Sequence, residues 1–135
     1  MKSALVNISA LLFFMVLPLT GFAQQQPQEP DIMEQIENEA DRLQRVLGLE
    51  DWQVFYVDST LKHDYPAMRE EITQLSQAKV SNADMYMRVQ DKWMEQIDAT
   101  YKRIFTDEQW VAYLKQGAAK LQKAREKRRL KAQGK

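Results

Sequence analysis

Cysteine is absent from this 135-residue chain, and His63 is its only histidine. Without cysteine the chain can form no disulfide, no thiolate metal site and no redox-active dithiol. A structural zinc site commonly uses four Cys and His ligands, so His63 is only a weak metal candidate that would need Asp64, Glu70 or a partner chain. No Ser/His/Asp or paired-carboxylate constellation stands out. We therefore predict that the protein is not an enzyme and has no cofactor.

Proline and glycine are also scarce, with four of each in the chain. Beyond residue 30 the only proline is Pro66. Short strands need frequent turns, and turns are marked by these two residues. The sequence therefore predicts an all-α fold of about four helices.

Apolar spacing and capping residues place the first two helices. Asp31 caps a helix that ends before Gly48. The next begins at Glu50 or Asp51 and runs to about residue 78. Its large residues at 54–57 could form a strand, but no second strand is available to pair with it. We predict instead a helix that is apolar and buried on nearly all sides, with a kink or restart at Pro66.

The third and fourth helices follow from the same signals. The third spans about residues 82–104 and is expected to be the longest, with an apolar stripe at spacings of three and four. The fourth begins at Asp107, and Gly117 predicts that it frays or ends there. The remainder has almost no apolar face, so we expect it to be helical only when bound to a partner.

The first 23 residues have the layout of a secretory signal peptide. Lys2 precedes an apolar run over residues 4–19, and Gly21 and Ala23 put small residues at the cleavage point after Ala23. An uncleaved anchor is the alternative, but the run is shorter than the roughly 20 residues of a spanning helix. Residues 24–30 form a polar leader that we expect to be disordered. These features predict a periplasmic protein.

Charge is balanced overall but unevenly distributed, since 19 basic and 19 acidic residues separate toward opposite ends. The charged residues of 29–51 are mostly acidic, and those of 115–135 are mostly basic. We divide the mature chain into a helical domain over 31–116 and a basic C-terminal extension over 117–135. The extension could contact acidic clients or, transiently, an anionic membrane surface, or it could be a solvated tail. We expect no nucleic-acid partner outside the cytoplasm.

One short motif occurs twice. Phe105-Thr106-Asp107-Glu108-Gln109 has the Thr-x-x-Gln pattern of a capping box at a helix start. Leu49-Glu50-Asp51-Trp52-Gln53 repeats it 56 residues earlier, with Glu50 in place of threonine and therefore without the capping hydroxyl. We predict that the motif residues act as helix caps and loop braces. They are Leu49, Glu50, Gln53, Phe105, Thr106 and Gln109.

The doubled motif resembles the Leu-Thr-x-x-Gln repeat of the Spy/CpxP family of periplasmic proteins. The resemblance covers roughly residues 31–116. It implies an elongated, helical hairpin-type subunit with a long third helix, paired into a cradle-shaped antiparallel homodimer. Members of that family include an ATP-independent chaperone, an inhibitor of an envelope-stress sensor kinase and metal-responsive relatives.

The resemblance implies unfolded or stress-related envelope proteins as partners. A metal-responsive or sensor-kinase-regulating protein is one alternative, and a structural interaction protein without clients is another. Flexible methionine side chains and a basic surface suit promiscuous binding. The candidate client-binding residues are Met85, Met87, Lys120, Lys123, Arg125, Arg128 and Arg129.

Overall fold

The computed structural model describes residues 31–134 and is helical over 88% of them. No strand occurs in that range, so the predicted all-α fold is confirmed. The predicted signal peptide over 1–23 and leader over 24–30 lie outside the described residues.

The helices follow one another with short connections. They are α1 (Ile32–Leu47), α2 (Asp51–Gln77), α3 (Ala83–Ile104), α4 (Asp107–Tyr113), a π-helical turn (Leu114–Ala118) and α5 (Ala119–Gln133). α4 and α5 meet in the π turn without a loop, across a kink at Gly117, so the described chain has four helices when these two are counted together. Within residues 31–134, no helix combines the length and the apolar character needed to cross a membrane.

The ends of α1 follow from their residues. The Asp31 carboxylate accepts the backbone N–H of Met33 at 3.1 Å, which satisfies one free donor of the first turn. Gly48 ends the helix at φ 63°, ψ 45°, a left-handed conformation that glycine adopts without steric cost. Both predictions from the sequence are confirmed.

Of the two alternatives predicted at Pro66, a kink or a restart, the restart is wrong. Helix α2 is one helix of 27 residues with the proline inside it. It is therefore longer than α3, which has 22 residues, and the expectation that the third helix is the longest was wrong. Proline removes one backbone donor, and this local cost is outweighed by the packing of α2 along α3.

Helix four ends in a kink at Gly117, as the sequence predicted. That residue has a non-helical φ of 117° and ψ of −11°, and the N–H of Ala119 bonds to the carbonyl of Leu114, five residues back. The glycine absorbs a conformation that is strained for other residues. The chain then continues as α5 to Gln133, so the expectation that the basic remainder is helical only with a partner differs from the structure.

The core lies at one end of the molecule, where α1 packs against α2 and α4, and where α3 ends. We call this the motif end, because both motif copies lie there. Its fully buried apolar side chains include Ile36, Leu43, Val57, Leu61 and Ile97. The α2–α3 hairpin extends away from it, and no residue between 65 and 96 is buried. We call residues 65–96 the distal hairpin.

Candidate functional site

The two motif copies meet at the motif end through their glutamines. Gln53 Nε2 donates to Gln109 Oε1 at 2.6 Å, and Gln109 Nε2 donates back to Gln53 Oε1 at 3.1 Å. Gln53 is only 1% exposed. A buried amide without partners would be costly, and here each amide serves the other. The pair joins the start of α2 to the start of α4.

The remaining bonds of the two glutamines are equivalent. Each Oε1 also accepts the backbone N–H of its own helix cap, from Glu50 at 2.9 Å and from Thr106 at 3.0 Å. Each Nε2 also donates to the carbonyl two residues before the other cap, at Ile104 (2.9 Å) and Gly48 (3.3 Å). Every pair of equivalent residues is 56 apart in sequence. The motif copies thus form one nearly symmetric brace.

The two caps differ in their side chains. Thr106 Oγ1 accepts the backbone N–H of Gln109 at 3.2 Å, which completes the predicted capping box. Glu50 and Gln53 keep the arrangement of a capping box. The close bond of the Glu50 carboxylate, however, is to the indole N–H of Trp52 at 2.6 Å. The missing threonine hydroxyl is therefore not replaced by an equally direct cap.

The apolar residue before each cap is buried and fixes the brace to the core. Leu49 and Phe105 are both buried. The Phe105 ring stacks on Tyr101 with centroids 5.1 Å apart and meets Tyr113 edge-on at 5.7 Å. Burial raises the pKa of both tyrosines, and the hydrogen bond to Asp98 raises the pKa of Tyr113 further. The motif residues therefore act as structural elements of the core.

A second polar cluster holds α5 against α3. Asp98, buried on α3, accepts hydrogen bonds from Tyr113 at 2.6 Å and from Gln122 at 3.2 Å. It also forms an ion pair with Arg125, which is 8% exposed. Charged side chains are rarely buried unless they are paired, and this pair is also hydrogen-bonded. The cluster makes the start of the basic extension part of the fold.

The predicted client-binding residues of α5 do not form one free basic surface. Arg125 is buried, which removes it from any surface a client can reach in this conformation. Arg128 binds Asp91 on α3 in bidentate fashion at 2.7 and 2.8 Å, and Arg129 binds Glu126 at 2.6 Å. Lys120 and Lys123 are exposed. The positive charge of α5 is therefore partly offset by carboxylates of this chain.

The other predicted candidates lie elsewhere. Met85 and Met87 are exposed in the first turns of α3, far along the chain from the brace. His63 is exposed, and its Nδ1 lies 2.7 Å from Asp64 Oδ1. Among residues 31–134, no group of three or more His, Cys, Asp or Glu side chains could hold a metal ion. His63 stays a weak candidate whose further ligands would have to come from another chain.

Sequence reasoning missed a group of exposed aromatic residues on α2. Phe55 is 66% exposed, Tyr56 51% and Trp52 50%, so the prediction of a helix buried on nearly all sides was wrong. The buried positions of α2 form one stripe, Gln53, Val57, Leu61 and Asp64. Its spacing of four, four and three is readable in the sequence. The three aromatic residues lie outside that stripe, which is the signal that could have identified them.

Comparisons with family models, with curated proteins and with solved structures found no match to this chain. The resemblance to the Spy/CpxP family therefore rests on the two motif copies and on the features of the sequence that surround them.

Proposed function

We propose that this chain is an exported helical binding protein of the Spy/CpxP type, which holds unfolded or stress-related envelope proteins without ATP. The observation that carries the proposal is the reciprocal bonding of Gln53 and Gln109. Each motif copy contributes the same atoms to one brace, so the repetition of the motif has a structural reason. The same brace would explain why the motif occurs twice in proteins of a family that is defined by it.

The surface gives independent support. Exposed methionine and aromatic side chains lie on the same molecule as many charged residues. Charge accelerates encounter with a partner, and apolar contact then holds it. Adaptable side chains such as methionine suit binding to many sequences. This combination fits weak binding of unfolded chains better than recognition of one rigid ligand.

The proposal includes a homodimer. The distal hairpin has half-buried apolar side chains, among them Met68, Ile72, Val89 and Trp93, but no buried residue. An elongated hairpin without a core of its own gains stability when a second chain covers it. A periplasmic location and a signal peptide cleaved after Ala23 belong to the same proposal.

The test is aggregation of a chemically unfolded substrate protein, followed by light scattering after dilution. The mature chain from Gln24 is added at molar ratios that include stoichiometric amounts, without ATP. We expect scattering to fall with increasing ratio. An unrelated helical protein of similar mass and charge serves as the control. If the mature chain reduces scattering no more than this control at any ratio, the proposal is wrong.

A further inference from the structure

Three aromatic side chains at the start of α2 form an exposed surface that the fold leaves uncovered. We call Trp52, Phe55 and Tyr56 the aromatic patch. On the opposite side of the same turns, Gln53 and Val57 are buried in the motif end. Contiguous exposed apolar surface on a soluble domain commonly marks an interaction site. The patch therefore needs an explanation that the core does not provide.

The aromatic patch is held in one arrangement. Trp52 meets Tyr56 edge-on with ring centroids 6.1 Å apart, and Phe55 meets Tyr56 edge-on at 5.8 Å. The Trp52 indole N–H is also bonded to Glu50 Oε2 at 2.6 Å. The helix beneath is fixed by the glutamine brace. Rigid aromatic side chains lose little conformational entropy on binding, which favours contact with a partner.

The charged residues of the α2 turns that carry the aromatic patch are acidic. Residues 50–61 include Glu50, Asp51 and Asp58 and contain no lysine or arginine. The first base after them, Lys62, is already paired with Asp58 at 2.7 Å. Aromatic ring faces attract cations, and nearby carboxylates strengthen that attraction. The charge of this surface is thus opposite to that of the basic α5.

We propose that the aromatic patch is the docking surface for unfolded polypeptide segments that combine lysine or arginine with apolar side chains. The inference rests on the proposed holding function and names the class of client and the place where it binds. Apolar side chains of the segment would contact the rings of Phe55 and Tyr56. Its cations would lie against the Trp52 ring and the carboxylates of Glu50 and Asp51. Acidic segments of equal apolar content would be repelled.

The experiment measures fluorescence anisotropy of two labelled unstructured peptides with the full mature protein. Both peptides have the same leucine and alanine content, and one carries lysines where the other carries glutamates. The double variant Phe55→Ser/Tyr56→Ser removes most of the aromatic patch. Leu121→Ser on α5 is the matched control, because Leu121 is similarly exposed, at 58%, but lies among basic residues. Circular dichroism checks that both variants remain helical.

We expect the lysine peptide to bind more tightly than the glutamate peptide. The double variant should weaken that binding by roughly tenfold or more, as expected for the loss of central aromatic contacts. Leu121→Ser should leave it unchanged. Raising the salt concentration should reduce the difference between the two peptides, because salt screens exposed charges.

Other results would overturn the inference. Equal binding of both peptides, or tighter binding of the glutamate peptide, excludes selection for cationic segments. Unchanged binding by the double variant shows that the site lies elsewhere. Sedimentation of the wild type and the double variant tests whether the aromatic patch is a dimer interface. If the wild type is a dimer and the double variant is a monomer, the aromatic patch binds a second copy of this chain and not a client.

The aggregation assay separates this inference from the proposed function. If the double variant suppresses aggregation as well as the wild type does, holding activity stands and the docking surface is wrong. If the lysine peptide binds at the aromatic patch but aggregation is never suppressed, the surface stands and the holding function is wrong.

Discussion

The motif end and the distal hairpin are built from the same helices but are stabilised differently. At the motif end, α2 and α3 bury Val57, Leu61, Ile97 and Tyr101. In the distal hairpin the same two helices contain half-buried side chains but no fully buried one, although they still contact each other. There the contacts include the pair of Lys92 with Glu71, at 2.5 and 2.7 Å. Helix formation alone therefore does not show which part of the molecule contributes most to the free energy of unfolding. The burial of side chains does.

The largest contrast is expected for two aspartates of α3 that both pair with arginines of α5. Asp98→Ala removes the partner of buried Arg125 and should reduce the free energy of unfolding by about 3–5 kcal/mol. Asp91→Ala removes the partner of Arg128, whose side chain is much more exposed, and should change stability little. Urea denaturation of both variants checks the difference. Equal losses would show that burial does not distinguish the two ion pairs.

The second contrast concerns two leucines of α2. Leu61→Ala leaves a cavity at the motif end and should cost about 2–5 kcal/mol. Leu75→Ala in the distal hairpin removes a side chain that is half-buried in the monomer. At protein concentrations low enough to dissociate the proposed homodimer, it should cost well under half as much. Thermal and urea unfolding provide the measurement. If the loss of stability caused by Leu75→Ala is large and increases with protein concentration, a second chain covers the distal hairpin, as the proposed homodimer would.

The third contrast tests the glutamine brace. Gln53→Ala removes the bonds between the two amides and the side-chain donor to the Ile104 carbonyl, and should cost about 1–3 kcal/mol. Gln74→Ala in the distal hairpin removes only an exposed bond to Glu70 and should be nearly neutral.

A double-mutant cycle sharpens this third test. Because Gln53 and Gln109 bond to each other, the effects of their two alanine substitutions should not add. Additive effects would show that the reciprocal pair contributes no coupling, and that each glutamine acts only on its own helix cap.

Local features of the fold could be predicted from the sequence, whereas features that depend on two distant segments could not. Asp31, Gly48 and Thr106 act on residues within one helical turn, so their capping roles follow from their neighbours. The 56-residue repeat identified Gln53 and Gln109 as equivalent, and both were predicted to cap helices and brace loops. Their direct bond requires the two helix starts to lie side by side, which spacing does not specify.

The errors have a common physical cause. Pro66 was interpreted from its local backbone preference, but α2 continues through it and packs along α3. Arg125 was assigned to the surface because isolated arginines are mostly exposed. Its burial depends on Asp98, 27 residues earlier in the chain. Phe55 was assigned to the interior because of its apolar side chain, although the stripe of buried positions on α2 excludes it.

The kink at Gly117 also determines which residues of the last helix face the protein. Because Gly117 has a non-helical φ of 117°, the pattern of inward positions before it does not carry over into α5. An uninterrupted repeat continuing from Trp110 and Leu114 would bring Gly117 and Leu121 inward. The structure instead turns Ala118, Gln122 and Arg125 inward and leaves Leu121 outside. The kink therefore resets which residues of α5 face the protein: Leu121 is left in solvent, and Arg125 reaches Asp98.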